Sequence, residues 1–364
     1  SMKTKAILLG LTFALIPGLN RAENGIKMVV GTYTDAGSKG LYSFSFDDSN
    51  GSAKELSSLK VDNPSYFTFS KNGRFIYAVS EKNNATAALN AISFDPVKGD
   101  LGLMNSQLTH GADPCYVDTD GKIALTANYS SGTISVFPIQ KNGTLDKSLL
   151  MVSSKKGGPN KTRQNTPHAH CAIFAPDGYI LSTDFSGDRI LSFYYDKDKK
   201  KLEDHGIAAH LKAGSGPRHI TFSPNGKYAY LMSELSGKVT VFTYEEGKLK
   251  EIQTLVADDA RAQGGADIHV SPDGKFVYAS TRLKGDGITI FRVNGNGTLT
   301  RVGKQSTGKH PRNFAITPNG KFLLVACRDA NKIQVFSRDK ETGMLKNTNQ
   351  DIHLSLPVCV RFYN

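Results

Sequence analysis

The sequence predicts an all-β fold: a seven-bladed β-propeller with four antiparallel strands per blade, its ring closed by pairing the N- and C-terminal strands in one blade. Three observations predict it. A turn glycine followed by an apolar run recurs at Gly73, Gly121, Gly178, Gly226, Gly274 and Gly320, at separations of 48, 57, 48, 48 and 46 residues. Each recurrence is flanked by short apolar, β-branched runs, and a fixed period of this size built from strands marks a propeller. The two ends of the chain each carry part of one further unit.

Taken in order, residues 2–5 are positive, residues 6–16 are almost wholly apolar, and Pro17-Gly18 breaks the run. Ser1 reads as an expression scar and the segment to Ala22 as a secretory signal peptide. The run is too short for a transmembrane helix, and no lipidated cysteine follows, so no stable membrane anchor is expected. Residues 1–22 thus predict a secreted or periplasmic protein; without a leader it would be cytoplasmic. The propeller is expected over residues 26–364. Residues 28–34 read as a second strand with nothing before it.

Six full units follow, clearest over residues 216–242. Residues 220–223 are apolar and β-branched, Pro224-Asn225-Gly226 is a turn signal, and residues 227–233 form a second apolar run. Third strands are expected at 134–137, 189–193, 239–242, 288–291 and 333–336. Fourth strands open at Gly143-Thr144-Leu145, Gly247-Lys248-Leu249, Gly297-Thr298-Leu299 and Gly343-Met344-Leu345. Residues 356–362 look like an innermost strand with nothing after it. Joined to 28–34, they close the ring and remove the open sheet edges. A single blade cannot bury a core, so the ring folds as one unit.

Trp is absent, which argues against a WD-type propeller. Cys115, Cys171, Cys327 and Cys359 form no C-x-x-C pair and read as small buried residues; a Cys327–Cys359 pairing across neighbouring blades stays open. The net charge of +12 includes turn lysines such as those at 196–201, and no aromatic-interleaved basic motif accompanies it, so no nucleic-acid partner is expected. Nothing bears on the oligomeric state.

In a blade, the start of the first strand and the end of the second reach the same mouth of the channel. Eight residues before the turn glycine lie Ser65, Asp113, His170, Arg218, Ala266 and Arg312; eight after it lie Glu81, Tyr129, Ser186, Glu234, Arg282 and Arg328. A structural rung would carry small or apolar residues. This one converges arginines, glutamates and a histidine, which an anionic ligand would satisfy. The alternative is that Glu–Arg pairs stitch neighbouring blades. Residues 155–166, polar and basic, stretch one repeat to 57 residues and are placed to border the site. Pro167-His168-Ala169-His170 follows. An H-x-H pair can bind zinc, but no third ligand is evident, and neither metal nor cofactor is expected.

The chain resembles the lactonase family of seven-bladed propellers, which holds bacterial 6-phosphogluconolactonases and the fungal 3-carboxy-cis,cis-muconate lactonising enzyme. The resemblance rests on G-T-Y-T at 31–34, P-H-A-H at 167–170, G-P-R-H at 216–219, S-E-L at 233–235, S-T-R at 280–282 and H-P-R-N at 310–313, in order over residues 26–364. It implies His170, Arg218, Glu234 and Arg282 as the catalytic set, the same four that the rung count selects. The implied reaction is hydrolysis of an anionic sugar lactone. His170 would be the general base, Glu234 would orient it or act as partner acid, and Arg218 and Arg282 would hold the substrate anion and the oxyanion. Arg312, Arg328, His168 and His219 are candidates for the phosphate or carboxylate end, with Glu81 and Tyr129 beside them. The resemblance also leaves open a muconate-type cycloisomerase, and the residues alone a non-catalytic binding propeller. No G-x-S-x-G elbow supports a serine hydrolase.

Overall fold

The computed structural model describes residues 25–363; the expected leader, residues 1–22, lies outside the described residues. Seven antiparallel sheets follow one another around a central channel. Blade 1 is assembled from both ends of the chain. Pro357–Tyr363 forms its innermost strand and pairs with Ile26–Thr32, which continues to Gly40–Phe46 and Ala53–Lys60. The innermost strands of blades 2 to 7 are Phe67–Phe69, Pro114–Thr119, Ala169–Phe174, Pro217–Phe222, Gly265–Val270 and Pro311–Ile316.

The repeat has a physical basis in two glycines per unit. The first-turn glycines at 73, 121, 178, 226, 274 and 320 all take positive φ, a conformation that a side chain makes costly. The later glycines serve contact between blades. A Cβ at Gly297 would lie 2.4 Å from the Tyr228 ring, and one at Gly343 2.4 Å from the Phe276 ring. The carbonyls of Gly143, Gly297 and Gly343 accept hydrogen bonds from the hydroxyls of Tyr77, Tyr230 and Tyr278, one blade earlier, at 2.9, 2.8 and 2.7 Å. G-x-L is therefore a docking signal as much as a turn signal.

The core lies between blades rather than within them. Ile220, Leu231 and Phe242 of blade 5 pack on Ile173, Leu181 and Ile190 of blade 4. Each such side chain contributes about 1.5–3 kcal/mol on burial. Second strands are covered on both faces, which is why they read as continuous apolar runs rather than alternating ones. All four cysteines are buried and free. Cys327 sits in the core of blades 6 and 7 and Cys359 in that of blades 1 and 2, so the pairing left open by the sequence is not made.

Candidate active site

A recurring irregularity of the innermost strands aims residues into the channel. Ala169 pairs with Asp184, yet Cys171 pairs with Thr183, so His170 has no partner of its own. The same one-residue slip extrudes Cys115, Arg218, Arg312 and Val358 from the innermost strands of blades 3, 5, 7 and 1, and a slip in blade 6 covers Ala266 and Asp267. These are β-bulges, which leave a residue unpaired and re-aim it. Pro114, Pro217, Pro311 and Pro357 precede four of them, at the strand start where a missing N–H costs no ladder bond.

The residue immediately after each second strand faces its bulge. Its amide donates to the carbonyl two positions before the bulged residue: Tyr33 to Leu356, Glu81 to Asn63, Tyr129 to Asp113, Phe185 to His168, Glu234 to Gly216, Arg282 to Gly264 and Arg328 to His310. Two positions of the sequence count are corrected by this register. The turn of blade 3 is two residues shorter, so Cys115 and not Asp113 occupies the bulge. The second strand of blade 4, Ile180–Asp184, is one residue shorter than those of the other full repeats, so Phe185 and not Ser186 follows it. Ser186 instead donates to Thr166 O at 2.6 Å.

A cavity of about 270 Å³ opens at this mouth. His170, Glu234, Arg282, Arg312, Glu81 and Tyr129 all line it. Arg218 lies immediately beneath, 1% exposed, with Nε donating to Glu234 Oε1 at 3.0 Å. Asp113, which the count placed on the rung, lines the cavity too, and Tyr33, Cys115, Ser130 and Arg163, absent from the counted rung and from the sequence-predicted binding set, complete the wall. Tyr33 follows the second strand of the split blade and is legible in G-T-Y-T once that blade is aligned with the rest. Cys115 was findable from its Pro-x position. Arg163 comes from the inserted segment, where no period applies.

Three predicted binding residues stand off the cavity wall. His168 stacks flat on Tyr129 at 4.2 Å between ring centroids, with Nδ1 on Tyr129 O at 2.9 Å. It therefore braces Tyr129 from behind and does not share a ligand site with His170. His219 lies in the layer below, its Nδ1 on Asp267 Oδ1 at 2.9 Å and its Nε2 3.4 Å from Arg218 Nη1. Arg328 begins a short 3-10 turn, Arg328–Ala330, that carries it toward Asp329, to whose Oδ1 its Nε donates at 2.8 Å. Among the described residues, no group of three or more His, Cys, Asp and Glu side chains is placed to hold a metal ion.

The electrostatics separate the roles of the two central residues. Burial, with Arg218, His219 and Arg312 close by, holds the His170 imidazole well below its usual pKa, so it is neutral at pH 7. Its Nδ1 lies 3.7 Å from Cys115 Sγ, and Nε2 has no protein partner among the described residues. For Glu234, burial alone would raise the carboxyl, but Arg282, Arg218 and Arg163 overcome it and hold the pKa at about 2. Arg163 Nη2 and Arg218 Nε donate to it, and Arg282 Nη2 stands 3.4 Å away. Glu234 is thus a fixed anion among guanidinium groups, and among the described residues it makes no hydrogen bond to His170. The contact that the sequence expectation of an orienting or partner-acid role requires is not made: three arginines surround its oxygens. Burial and the adjacent Arg218 in turn push the Arg282 guanidinium down, the signature of co-buried like charges that an anion would relieve.

Two outcomes follow for Glu234. Glu234→Ala is expected to cost about 3–5 kcal/mol in chemical denaturation, because it strands buried guanidinium groups without their counter-charge. A loss below 1 kcal/mol would show that the cluster does not depend on it. Its folded-state pKa of about 2 lies below the ordinary 4.5, so the stability it adds is complete above pH 4.5 and is lost as pH falls toward 2. Glu234→Gln is expected to flatten the stability–pH curve across that window, and an unchanged acid slope would contradict this.

Residues 27–362 match a protein family described as a lactonase, seven-bladed β-propeller. The chain is 38% identical over 345 residues to the 6-phosphogluconolactonase of Bacillus subtilis, covering 92% of this chain and 97% of that one. Among solved structures, a Bacteroides uniformis protein assigned to the 6-phosphogluconolactonases superposes with a TM-score of 0.91 at 56% identity, covering 93% and 99% of the two chains. The periplasmic gluconolactonase of Pseudomonas aeruginosa superposes with a TM-score of 0.88 at 31% identity, with the same coverage.

Proposed function

The chain belongs to the lactonase family of seven-bladed β-propellers, and from that premise we propose that it hydrolyses the ring ester of an anionic sugar lactone, 6-phospho-D-glucono-1,5-lactone being the foremost candidate. One observation carries the reading: a neutral histidine whose Nε2 has no partner among the described residues lines the same cavity as the guanidinium groups of Arg282 and Arg312.

In this mechanism a water attacks the lactone carbonyl carbon as His170 Nε2 takes its proton. The carbonyl oxygen becomes an oxyanion, which Arg282 and Arg312 stabilise. Arg282 is held for this by Nε on Gly264 O and Nη2 on Gly265 O, both at 3.0 Å, which leaves Nη1 without a protein partner among the described residues. Arg312 lies 5.6 Å over the Tyr33 ring and makes a 3.8 Å ion pair to Glu81, with no side-chain hydrogen bond among the described residues. When the tetrahedral intermediate collapses, the ring C–O bond breaks and His170 returns its proton to the departing alkoxide, giving a carboxylic acid that ionises and a free hydroxyl. A positioned donor to such an oxyanion is worth about 3 kcal/mol. Glu234 and Arg218 position Arg282 and do not exchange protons.

The test is a panel of lactones, phosphorylated and not, followed with a pH indicator. Acid release from none of them defeats the reading. Turnover of a carboxymuconate, seen as an ultraviolet change without hydrolysis, would replace it with a cycloisomerase. Because His170 titrates well below 6.5, the acid limb of kcat/KM is expected below pH 6.5. A midpoint at or above 6.5 would point to another base. The positive and apolar segment at residues 2–22 supports action outside the cytoplasm, which cell fractionation of the full chain reads directly.

A further inference from the structure

We infer that Arg163, delivered by the inserted segment of blade 4, is the residue that selects lactones carrying a phosphate monoester over their unphosphorylated counterparts. The inference rests on the hydrolytic reading above and assigns the substrate's far end. Blade 4 is the one blade whose second strand is followed at the mouth by an aliphatic or aromatic hydrocarbon side chain, Phe185. The other six are followed by Tyr, Glu or Arg. The insertion supplies the missing polar group: the Arg163 guanidinium lies 5.4 Å above the Phe185 ring and reaches the cavity.

The arm that carries it is built rather than loose. Gln164, fully buried, donates to Phe185 O at 3.0 Å and to Asp188 Oδ1 at 2.8 Å. Gly158 N donates to Ser186 O at 3.0 Å, and Asn160 Oδ1 accepts from Arg163 N at 3.1 Å. Arg163 is thereby fixed next to an anchored residue, while its own side chain stays 34% exposed at the rim.

Charge balance does not explain its presence. Glu234 already has Arg218 at 3.0 Å and Arg282 at 3.4 Å. Arg163 spends only Nη2, on Glu234 and on Tyr129 Oη at 3.1 Å; Nε and Nη1 have no protein partner among the described residues. A guanidinium with two free donors at the rim suits a phosphate, which it binds as a fork. Depth orders the cations accordingly. Arg218 and Arg282 lie at the floor with His170, where the ester reacts, and Arg163 stands at the entrance, where the opposite end of the sugar acid remains.

The experiment compares 6-phospho-D-glucono-1,5-lactone with D-glucono-1,5-lactone on wild type, Arg163→Met and Arg163→Lys. The ratio of kcat/KM for the phosphorylated over the plain lactone is expected to fall about tenfold or more in Arg163→Met, mainly through KM, with partial recovery in Arg163→Lys. An unchanged ratio overturns the inference, because Arg163 would then act on both substrates through Glu234 alone. Calorimetric binding of 6-phosphogluconate and gluconate provides a second readout. If wild type turns over neither lactone, the hydrolytic reading fails, and selective loss of 6-phosphogluconate binding in Arg163→Met still upholds the anion subsite. Equal binding by both proteins, or none by wild type, overturns it.

Discussion

His170→Ala is expected to lower kcat/KM for lactone hydrolysis by about 10³-fold, within the 10²–10⁴ range for a positioned general base. The effect should appear in kcat, because the substrate anion is held by arginines that the substitution leaves in place. The fold should survive. His170 sits on a bulge, so no ladder bond is lost with its side chain, and its nearest polar contact is the weak one to Cys115 Sγ. The melting temperature is therefore expected to stay within a few degrees of wild type. Near-full activity in this variant would remove His170 from the chemistry. A collapse in stability instead would mean that the imidazole is part of the channel packing with Tyr129 and His219, whose rings lie 5.6 and 5.1 Å away.

The largest expected effect on stability comes from opening the ring. Truncation after Leu356 removes the innermost strand of blade 1, Pro357–Tyr363, and with it four buried residues, Pro357, Val358, Cys359 and Val360. It also removes the Val360 N bond to Asn313 Oδ1 at 2.8 Å and the Arg361 Nη1 bond to Phe67 O at 2.9 Å, which tie this strand to blades 7 and 2. Ile26–Thr32 would be left as an open edge. The summed loss exceeds the roughly 5–15 kcal/mol by which proteins are stable, so the truncated chain should show no cooperative melting transition. A sharp transition near the wild-type temperature would show that the other six blades hold alone. A milder probe of the same closure is Gly31→Ala: a Cβ there would lie 2.1 Å from Pro64 O, so the first and second blades must separate to admit it.

Blade number and ring closure were legible because the turn glycines are conformationally obligatory and second strands are covered on both faces. The site was legible in part for the same reason. His170, Arg218 and Arg312 follow from counting along a regular strand. Counting failed where strand lengths vary: the shorter turn before Gly121 concealed Cys115, and the shorter second strand of blade 4 put Ser186 in place of Phe185. It failed for Arg328 because a 3-10 turn replaces extended chain at that point. The surroundings of Glu234 were only partly legible, since its three guanidinium partners come from separate segments of chain, one of them an insertion outside the period. Pairing partners across blades are not encoded in a repeat count.

The bulges described above have an evolutionary consequence. A bulged side chain lends nothing to the ladder around it, so exchanging it leaves the blade's own cohesion nearly untouched. Val358, Cys115, His170, Ala266 and Arg312 form a turret of sockets whose exchange costs no ladder bond, while Arg218, on the same kind of bulge, is tied in by its buried pair with Glu234. New reactions on this scaffold are reachable by retooling one socket at a time, without passing through an unfolded ancestor.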